Sequence, residues 1–398
     1  MTIVMIHVNP AIVRDGKLTV DRKFHVGMQL YAELIHAPLV TVNPPARDGE
    51  KIMDAIEVPI QSLPYRISTE KEELRELIEG AMLVYGYENG MDAWTIAHEV
   101  GVPYIMIHEL DLQMQMIENS SKASNPIRKA VRRVRSAINY YRGITAIRRA
   151  HSLHCNGYPI HEATAAYNAN RLLYLDSRMS ADMLISDEEL RSRLESRKGR
   201  PLKLLYSGRY EPLNGSLDAV KVGLECERRG IDVEMHCYGQ GSLAGKMRKA
   251  AAGSRVQIHD AVPYPELVKI ARTFDLFVCC HIQSDPSCTY LESMGAGLPI
   301  VGYENRMWRG LLKDSGAGFA SPIGKPGRVA DDIHSLLRNG ELDAISVQAL
   351  RFANQHTVAI EFQKRVDSIN AAAGYLGLTP LIGTAANVEV VKPAVARA

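Results

Sequence analysis

The sequence predicts an α/β protein built from two doubly wound, Rossmann-like parallel-sheet units in series, and three observations carry that expectation. Short apolar runs alternate with helix-period segments from one end to the other, the pattern of parallel strands joined by helical crossovers. The length, 398 residues, exceeds what one hydrophobic core usually spans, so two domains of under ~200 residues each are expected. Near the middle the pattern breaks in LISDEELRSRLESRKGRP, which is charged, has few core-type residues after Ile185, and ends in Gly199-Arg200-Pro201.

Taken in order, the first half offers strands at TIVMIHV (2–8), PLVTV (38–42), AMLVYG (81–86), PYIMIH (103–108), SLHC (152–155) and RLLYL (171–175). Helical periodicity falls between them, as in FHVGMQLYAELI (24–35), EELRELIEG (72–80) and MDAWTIAHEV (91–100). The second half repeats the theme with LKLLYSG (202–208), DVEMHCYG (232–239), RVQIH (255–259), LFVCC (276–280) and PIVGY (299–303). The expected boundaries are a first unit over 1–183, a linker over 184–200, a second unit over 201–373, and a loosely held Ala/Val/Pro tail over 374–398. Parallel sheets bind ligands at the carboxyl ends of their strands, so function is expected in the loops that follow strands, across a cleft between the units.

Composition narrows the classes. Apolar residues make up 46% and charged residues 23%, and a formal net charge of +2 argues against a global nucleic-acid role. The six cysteines, Cys155, Cys226, Cys237, Cys279, Cys280 and Cys288, form no C-x-x-C pair and read as buried thiols of a reducing compartment. MTIVMIHVNP begins directly as a strand without a basic leader, and no apolar run approaches the ~18 residues that span a bilayer, so a cytoplasmic location is expected.

Three post-strand segments carry chemistry. In SGRYEPLNG (207–215), Gly208 frees the backbone, Arg209 offers a planar fork for phosphate oxygens, and Gly215 opens a helix. YGQGSLAGKM (238–247) imitates a dinucleotide fingerprint through Gly239, Gly241 and Gly245, with Asp260 about 20 residues on. Its spacing is G-x-G-x-x-x-G and it sits on the second strand of its unit, so a tight strand-to-helix turn is the better reading. In SDPSCTYLESMGAGLPIVGYEN (284–305), Asp285 or Ser287 is placed to cap a helix whose amides at Ser287, Cys288 and Thr289 would be unpaired and ready for an anion. Glu292, one turn in, is placed to accept from a vicinal diol; the alternative is a solvated Glu on an ordinary capped helix.

GRYEPLNG, CYGQGS, IHDAVPYPEL and SDPSCTYLESMGAGLPIVGYEN stand in the order and spacing of the family 4 retaining glycosyltransferases of GT-B fold, the glycosyl transferases group 1. The chain resembles that family well over about 200–320 and more loosely over 1–180. The resemblance implies that Glu292 binds the nucleotide ribose, and that Arg209 with the Gly208 loop and the amides of Ser287, Cys288 and Thr289 bind the diphosphate. It implies that His259 to Val262, with Ala261 and Val262, hold the base through backbone, and that His108 lies where the family has a histidine lining the reacting centre. Two positions depart from the pattern: Ser284 stands where an acid contacts the donor sugar, with Asp285 one residue out of register, and Asn214 stands where a lysine is usual.

What the resemblance implies is a retaining hexosyltransferase with a nucleotide diphosphate sugar as co-substrate, no cofactor, and a saccharide or lipid-linked hydroxyl acceptor. No D-x-D segment occurs in the expected loops, so no metal is implied. The alternatives are a non-catalytic nucleotide-sugar-binding relative at the membrane and a dehydrogenase using NAD through Gly239, Gly241 and Asp260.

One segment lies outside this scheme. Positions 119–160 contain no Asp or Glu but hold Lys122, Arg128, Lys129, Arg132, Arg133, Arg135, Arg142, Arg148 and Arg149. Ile127, Val131, Val134, Ile138, Tyr141 and Thr145 recur at helical spacing, so 125–151 reads as an amphipathic helix with basic flanks. Such a helix either lies on an anionic membrane surface, at the inner face, or docks on the protein with its basic face solvated; sparse aromatic interleaving disfavours nucleic acid.

Overall fold

Among the residues of the computed structural model, 2–374 are described except 48, 53, 89, 112, 113, 117, 118 and 120–124. Lys122 and the expected tail from 375 therefore lie outside the described residues.

The first unit contains β1 (Thr2–Ile6), β2 (Ile12–Arg14), β3 (Lys17–Asp21), β4 (Leu39–Val42), β5 (Ala55–Pro59), β6 (Arg66–Ser68), β7 (Ala81–Tyr87), β8 (Tyr104–His108), β9 (Ser152–Asn156) and β10 (Arg171–Tyr174). Seven of these form one parallel sheet in the order β10-β9-β8-β7-β1-β4-β6, while β2, β3 and β5 make a small antiparallel sheet beside it. The second unit holds β11 (Leu202–Ser207), β12 (Val233–Tyr238), β13 (Val256–His259), β14 (Leu276–Cys279), β15 (Ile300–Tyr303) and β16 (Gly318–Ser321) in a parallel sheet ordered β13-β12-β11-β14-β15-β16.

The apolar runs become strands because both faces of each sheet are covered. Successive side chains alternate faces: Leu204 and Tyr206 join Val220, Cys226 and Ile333 on one side, while Leu205 and Phe277 join Tyr290, Met294 and Trp308 on the other. In the first sheet Ile3, Met5, Leu83 and Tyr85 face Phe24, Met28 and Tyr31, and Val4, Val84 and Met106 face Trp94, Ala97 and Ile147. All eleven expected strands form; the additions are β2 and β6, three residues each, β16, four residues, β5, which buries no side chain, and β3, whose only buried residues are Leu18 and Val20.

Two segments behave differently from expectation. The 184–200 stretch contains a helix, Asp187–Ser196, closed by a capping box between Ser186 and Glu189. That helix docks on the second unit: Leu190 packs with Ile185 and Leu350, and the buried Arg193 guanidinium donates to the carbonyls of Ala296 and Gly297, both at 2.7 Å. The last helix, Val358–Ala372, returns to the first unit, where Phe362, Val366 and Ile369 enter the core around Ile3, Met5 and Leu83. Helical periodicity shows that such a helix has an apolar face; which sheet that face covers is settled by tertiary contacts.

Ile369 is fully buried, so Ile369→Ala should cost about 2–5 kcal/mol. Hydrogen exchange should show the loss as faster exchange in β1 and β7; faster exchange confined to β11 and β12 would contradict this packing.

Candidate active site

In the second sheet the chain order reverses between β11 and β14, and a crevice at such a switch point is where open parallel sheets bind ligands. The loops after these strands are locked together. Gly215 has φ 61°, and a Cβ there would sit 1.7 Å from the Cys280 carbonyl oxygen, so the turn admits only glycine. The Ile282 amide donates to the Leu213 carbonyl at 3.0 Å. Between these loops Arg209 is exposed; its carbonyl accepts from the Tyr206 hydroxyl at 3.1 Å, while its guanidinium has no hydrogen-bond or ion-pair partner among the described residues. His281 lies beneath; burial, reinforced by the Arg209 charge, pushes its imidazole down to about 4, so it is neutral at pH 7, and its Nδ1 has no hydrogen-bond partner. Asn214 is buried in the same turn, with its carbonyl accepting from the Tyr206 hydroxyl at 3.4 Å.

Glu292 stands in the first turn of the helix Thr289–Gly295, as expected. It is not solvated: its side chain is 11% exposed, and Arg178 donates to Oε1 through Nε at 2.8 Å and Nη2 at 2.6 Å. The Arg178 guanidinium in turn lies 4.4 Å over the Tyr264 ring. Burial raises the Glu292 carboxyl above its usual range, and Arg178 works in the opposite direction.

The start of that helix differs from the expected cap. Cys288 occupies the N-cap position without a side-chain cap hydrogen bond. The Ser287 amide donates to the Asp285 carbonyl at 2.9 Å and the Thr289 amide to the Ser287 hydroxyl at 3.4 Å, so two of the three amides expected to be free are paired. Cys288 Sγ is 3.5 Å from Asp176 Oδ2, and burial pushes its thiol up to about 12. The Ser284 hydroxyl accepts from the Arg306 amide at 3.1 Å, at the start of another helix, and Asp285 Oδ2 accepts from Gln283 at 2.9 Å.

The remaining expected positions fall at the same edge or close to it. His259 stacks on Tyr238 with centroids 4.4 Å apart, and its carbonyl accepts from the Tyr210 hydroxyl at 2.7 Å; Ala261 is exposed and Val262 half-buried. The glycines of the imitation fingerprint serve loop packing: a Cβ on Gly239 would lie 1.9 Å from the Gly208 carbonyl oxygen, and one on Gly241 2.7 Å from that of Tyr210. Asp260 pairs with Arg248 at 2.6 Å. His108 ends β8 but is buried, its Nδ1 against the Glu88 carboxylate, whereas the neighbouring Glu109 lines a cavity at the strand ends.

The carboxyl ends of the two sheets face each other. Arg306 of the second unit contacts Asp111 and the Pro159 carbonyl of the first, and the Tyr158 hydroxyl donates to Asp314 at 2.5 Å. Arg178, Asp176 and His281 join this edge without belonging to any motif in the sequence, and Tyr264 joins it from within IHDAVPYPEL, where no role was expected of it.

Two parallel-sheet domains opposed in this way have the GT-B fold, and the solved structures this chain is similar to share it. HepE of Anabaena, crystallised with UDP, has a TM-score of 0.61 at 13% identity, covering 93% of this chain and 100% of that one. WaaG, a glycosyltransferase involved in lipopolysaccharide biosynthesis, gives 0.57 at 14% identity, covering 92% and 99%. Sucrose-phosphate synthase of Thermosynechococcus elongatus gives 0.60 at 12% identity, covering 94% and 100%. Residues 201–339, most of the second unit, match the family model described as glycosyl transferases group 1. A phosphatidyl-myo-inositol mannosyltransferase of Mycobacterium leprae is 28% identical over 177 residues, which are 42% of this chain and 46% of that relative, so the match spans about half of its length.

The Arg178–Glu292 pair makes a pH-dependent prediction. Removing the arginine leaves the buried carboxyl without the group that opposes its upward shift, and a carboxyl raised in the folded state loses stability as pH rises from its unfolded value through its folded one. Arg178→Ala should therefore destabilise the protein more at pH 8 than at pH 5, by about 1 kcal/mol given the half-exposed arginine. Urea unfolding at both pH values measures this; equal losses would show that Glu292 does not rely on Arg178.

Proposed function

We propose that the protein transfers a hexose from a nucleotide diphosphate sugar to a hydroxyl acceptor, lipid-linked or on a growing polysaccharide, with retention of configuration. The observation that carries this is the unpaired Arg209 at the β11/β14 switch point of a domain whose buried carboxylate, Glu292, keeps Oε2 free of protein partners among the described residues. Arg209 meets the charge that develops on the departing diphosphate, which is the largest electrostatic demand of the reaction. Glu292 accepts from the ribose hydroxyls, held in place by Arg178. UDP is the natural first probe, since HepE was crystallised with UDP and with UDP-glucose, and the mannosyltransferase relative supports a hexose and a lipid acceptor. Retention rests on the family resemblance. Ser284 and Asn214 keep open a binding protein without turnover, which predicts nucleotide binding without transfer.

Calorimetry separates the roles. Arg209→Ala should weaken UDP binding about tenfold or more, the worth of a charge-assisted phosphate contact. Wild type should prefer UDP over 2′-deoxy-UDP, and Glu292→Ala should lose that preference; a preference that survives would remove Glu292 from the ribose site.

The acceptor side of the proposal includes an anionic membrane surface. The helix Pro126–Arg149 is docked through Tyr140, Ile144 and Ile147, all buried, with the Tyr104 hydroxyl donating to the Ala146 carbonyl at 2.6 Å. The stripe on its other side faces water: Ile127 is 73% exposed, Val131 and Val134 60%, Ile138 48% and Tyr141 61%. Arg128, Lys129, Arg132, Arg133 and Arg135 are exposed around it, an arrangement that suits headgroups above and acyl chains below. No described helix is long and apolar enough to cross a membrane. In co-sedimentation, wild type should bind phosphatidylglycerol vesicles and not phosphatidylcholine vesicles, and Val131→Ser/Val134→Ser should weaken binding; indifference to both changes would refute the surface.

A further inference from the structure

The second unit carries a cavity of about 690 Å³ at the end of its sheet opposite the cleft. Arg200 precedes β11 and Lys203 stands near its start, while Arg272 and Thr273 precede β14, so the cavity sits at the amino ends of the strands that Arg209 and His281 follow. The helix Asp187–Ser196 forms its other wall. Open parallel sheets bind at the carboxyl ends of their strands, and the donor chemistry leaves this opposite end unused.

Its wall is rich in cations. Arg193, Arg200, Lys203, Lys269 and Arg272 line it against two carboxylates, Glu188 and Glu189, in a chain whose whole formal charge is +2. Three of these cations have a carboxylate nearby: Arg200 holds Asp275 through both Nη atoms at 2.7 and 2.9 Å, Lys203 lies 3.5 Å from Glu234, and Arg272 lies 3.6 Å from Glu189. Arg193 and Lys269 have no ion pair among the described residues. Glu189 is already engaged, since its Oε2 accepts from the Ser186 amide at 2.9 Å and hydroxyl at 3.0 Å, and Glu188 is exposed to water.

The two buried guanidiniums are fixed in place by carbonyls. Arg193 donates to those of Ala296 and Gly297, and Arg272 to those of Met183 and Leu184 at 2.9 and 3.0 Å. A cation held by carbonyls keeps its full charge and needs little reordering when an anion arrives. Arg193 is 7% exposed, and burial pushes its guanidinium down to about 10; Asp275 opposes that shift and the Arg200 charge adds to it. Nε of Arg193 and Nε of Arg272 are shielded from solvent and lack hydrogen-bond partners. A buried charge without a counter-ion is unfavourable, and an anion in the cavity supplies what this wall lacks.

The rest of the lining narrows the ligand. Ser192, Ser196 and Thr273 add hydroxyl donors among the cations, a set that suits an anion with several acceptor oxygens. No described lining residue is aromatic, so a nucleobase finds no ring to stack on. Ile185, the only aliphatic residue of the wall, is buried, so an acyl chain finds no exposed apolar surface. The volume falls within the roughly 300–1,000 Å³ of small-molecule sites. We propose that this cavity binds a small molecule carrying a phosphate group, at a site separate from the cleft and independent of the transferase reading.

Amide NMR on the full chain tests this in an Arg209→Ala background, which removes the cation expected to hold phosphate in the cleft. Inorganic phosphate, glycerol 3-phosphate and ribose 5-phosphate are titrated, with glycerol and ribose as neutral controls. At least one phosphate should give saturable shifts over 188–203 and 269–273, and the neutral controls should give none. Lys203→Gln/Lys269→Gln changes a half-buried and an exposed side chain and should weaken that binding about tenfold or more. Arg132→Gln/Arg133→Gln, on the distant basic helix, should leave it unchanged. Tighter binding of an ester than of inorganic phosphate identifies an organic phosphate as the ligand, and equal or weaker binding identifies the free ion; either supports the site. No saturable shift in these segments, equal shifts from the neutral controls, binding that survives Lys203→Gln/Lys269→Gln, or an equal loss in Arg132→Gln/Arg133→Gln would overturn the proposal.

Discussion

Two hydrogen bonds tie together the places where the chain crosses between its units. The Leu175 amide donates to Glu361 Oε2 at 2.9 Å, and the Val358 amide to the Met179 carbonyl at 2.9 Å. Because the two crossings hold each other, the last helix is committed to the first sheet, and the segment 175–186 is pinned across the second. Burial alone would raise the Glu361 carboxyl, but His356, Lys364 and the Leu175 amide outweigh it and hold it below its usual range. A carboxylate held down in this way stabilises the fold above its ordinary range and loses that contribution as pH falls through its folded value.

The same crossing supplies the groups that shape the site. Met179 is buried against the Glu292 helix so closely that a Cβ on Gly295 would lie 2.5 Å from its methyl, and the Tyr264 hydroxyl reaches its sulfur at 3.3 Å. Asp176 touches Cys288, and Arg178 clamps Glu292. A rotation of one unit against the other therefore moves the groups that position the carboxylate.

Much of the scaffold was legible because parallel strands covered on both faces read as continuous apolar runs, as in LKLLYSG and LFVCC. The loops of the second unit were legible for a different reason: Gly215 and Gly239 are there because backbones approach too closely for a Cβ. What could not be read were pairings between distant segments. Nothing in LDSRMS announces that Arg178 will meet Glu292, 114 residues away, and nothing in the periodicity of 358–372 names the first sheet as its partner. The basic helix was legible as amphipathic, yet its apolar stripe and its buried face proved to be different sets of residues, because Tyr140, Ile144 and Ile147 do the docking.

That division connects the helix to the cleft. The chain leaving β8 runs from Glu109 in the cavity wall to Asp111, which contacts Arg306 across the cleft, and to Met114, whose sulfur accepts from the Ser284 amide at 3.4 Å. Gln115 then donates to Glu88 at 3.1 Å, and Asn119 meets the basic helix by donating to the Ser136 hydroxyl at 2.9 Å and accepting from Arg132 at 3.2 Å. One short stretch of chain thus touches the cavity, the donor edge and the helix whose apolar stripe faces outward.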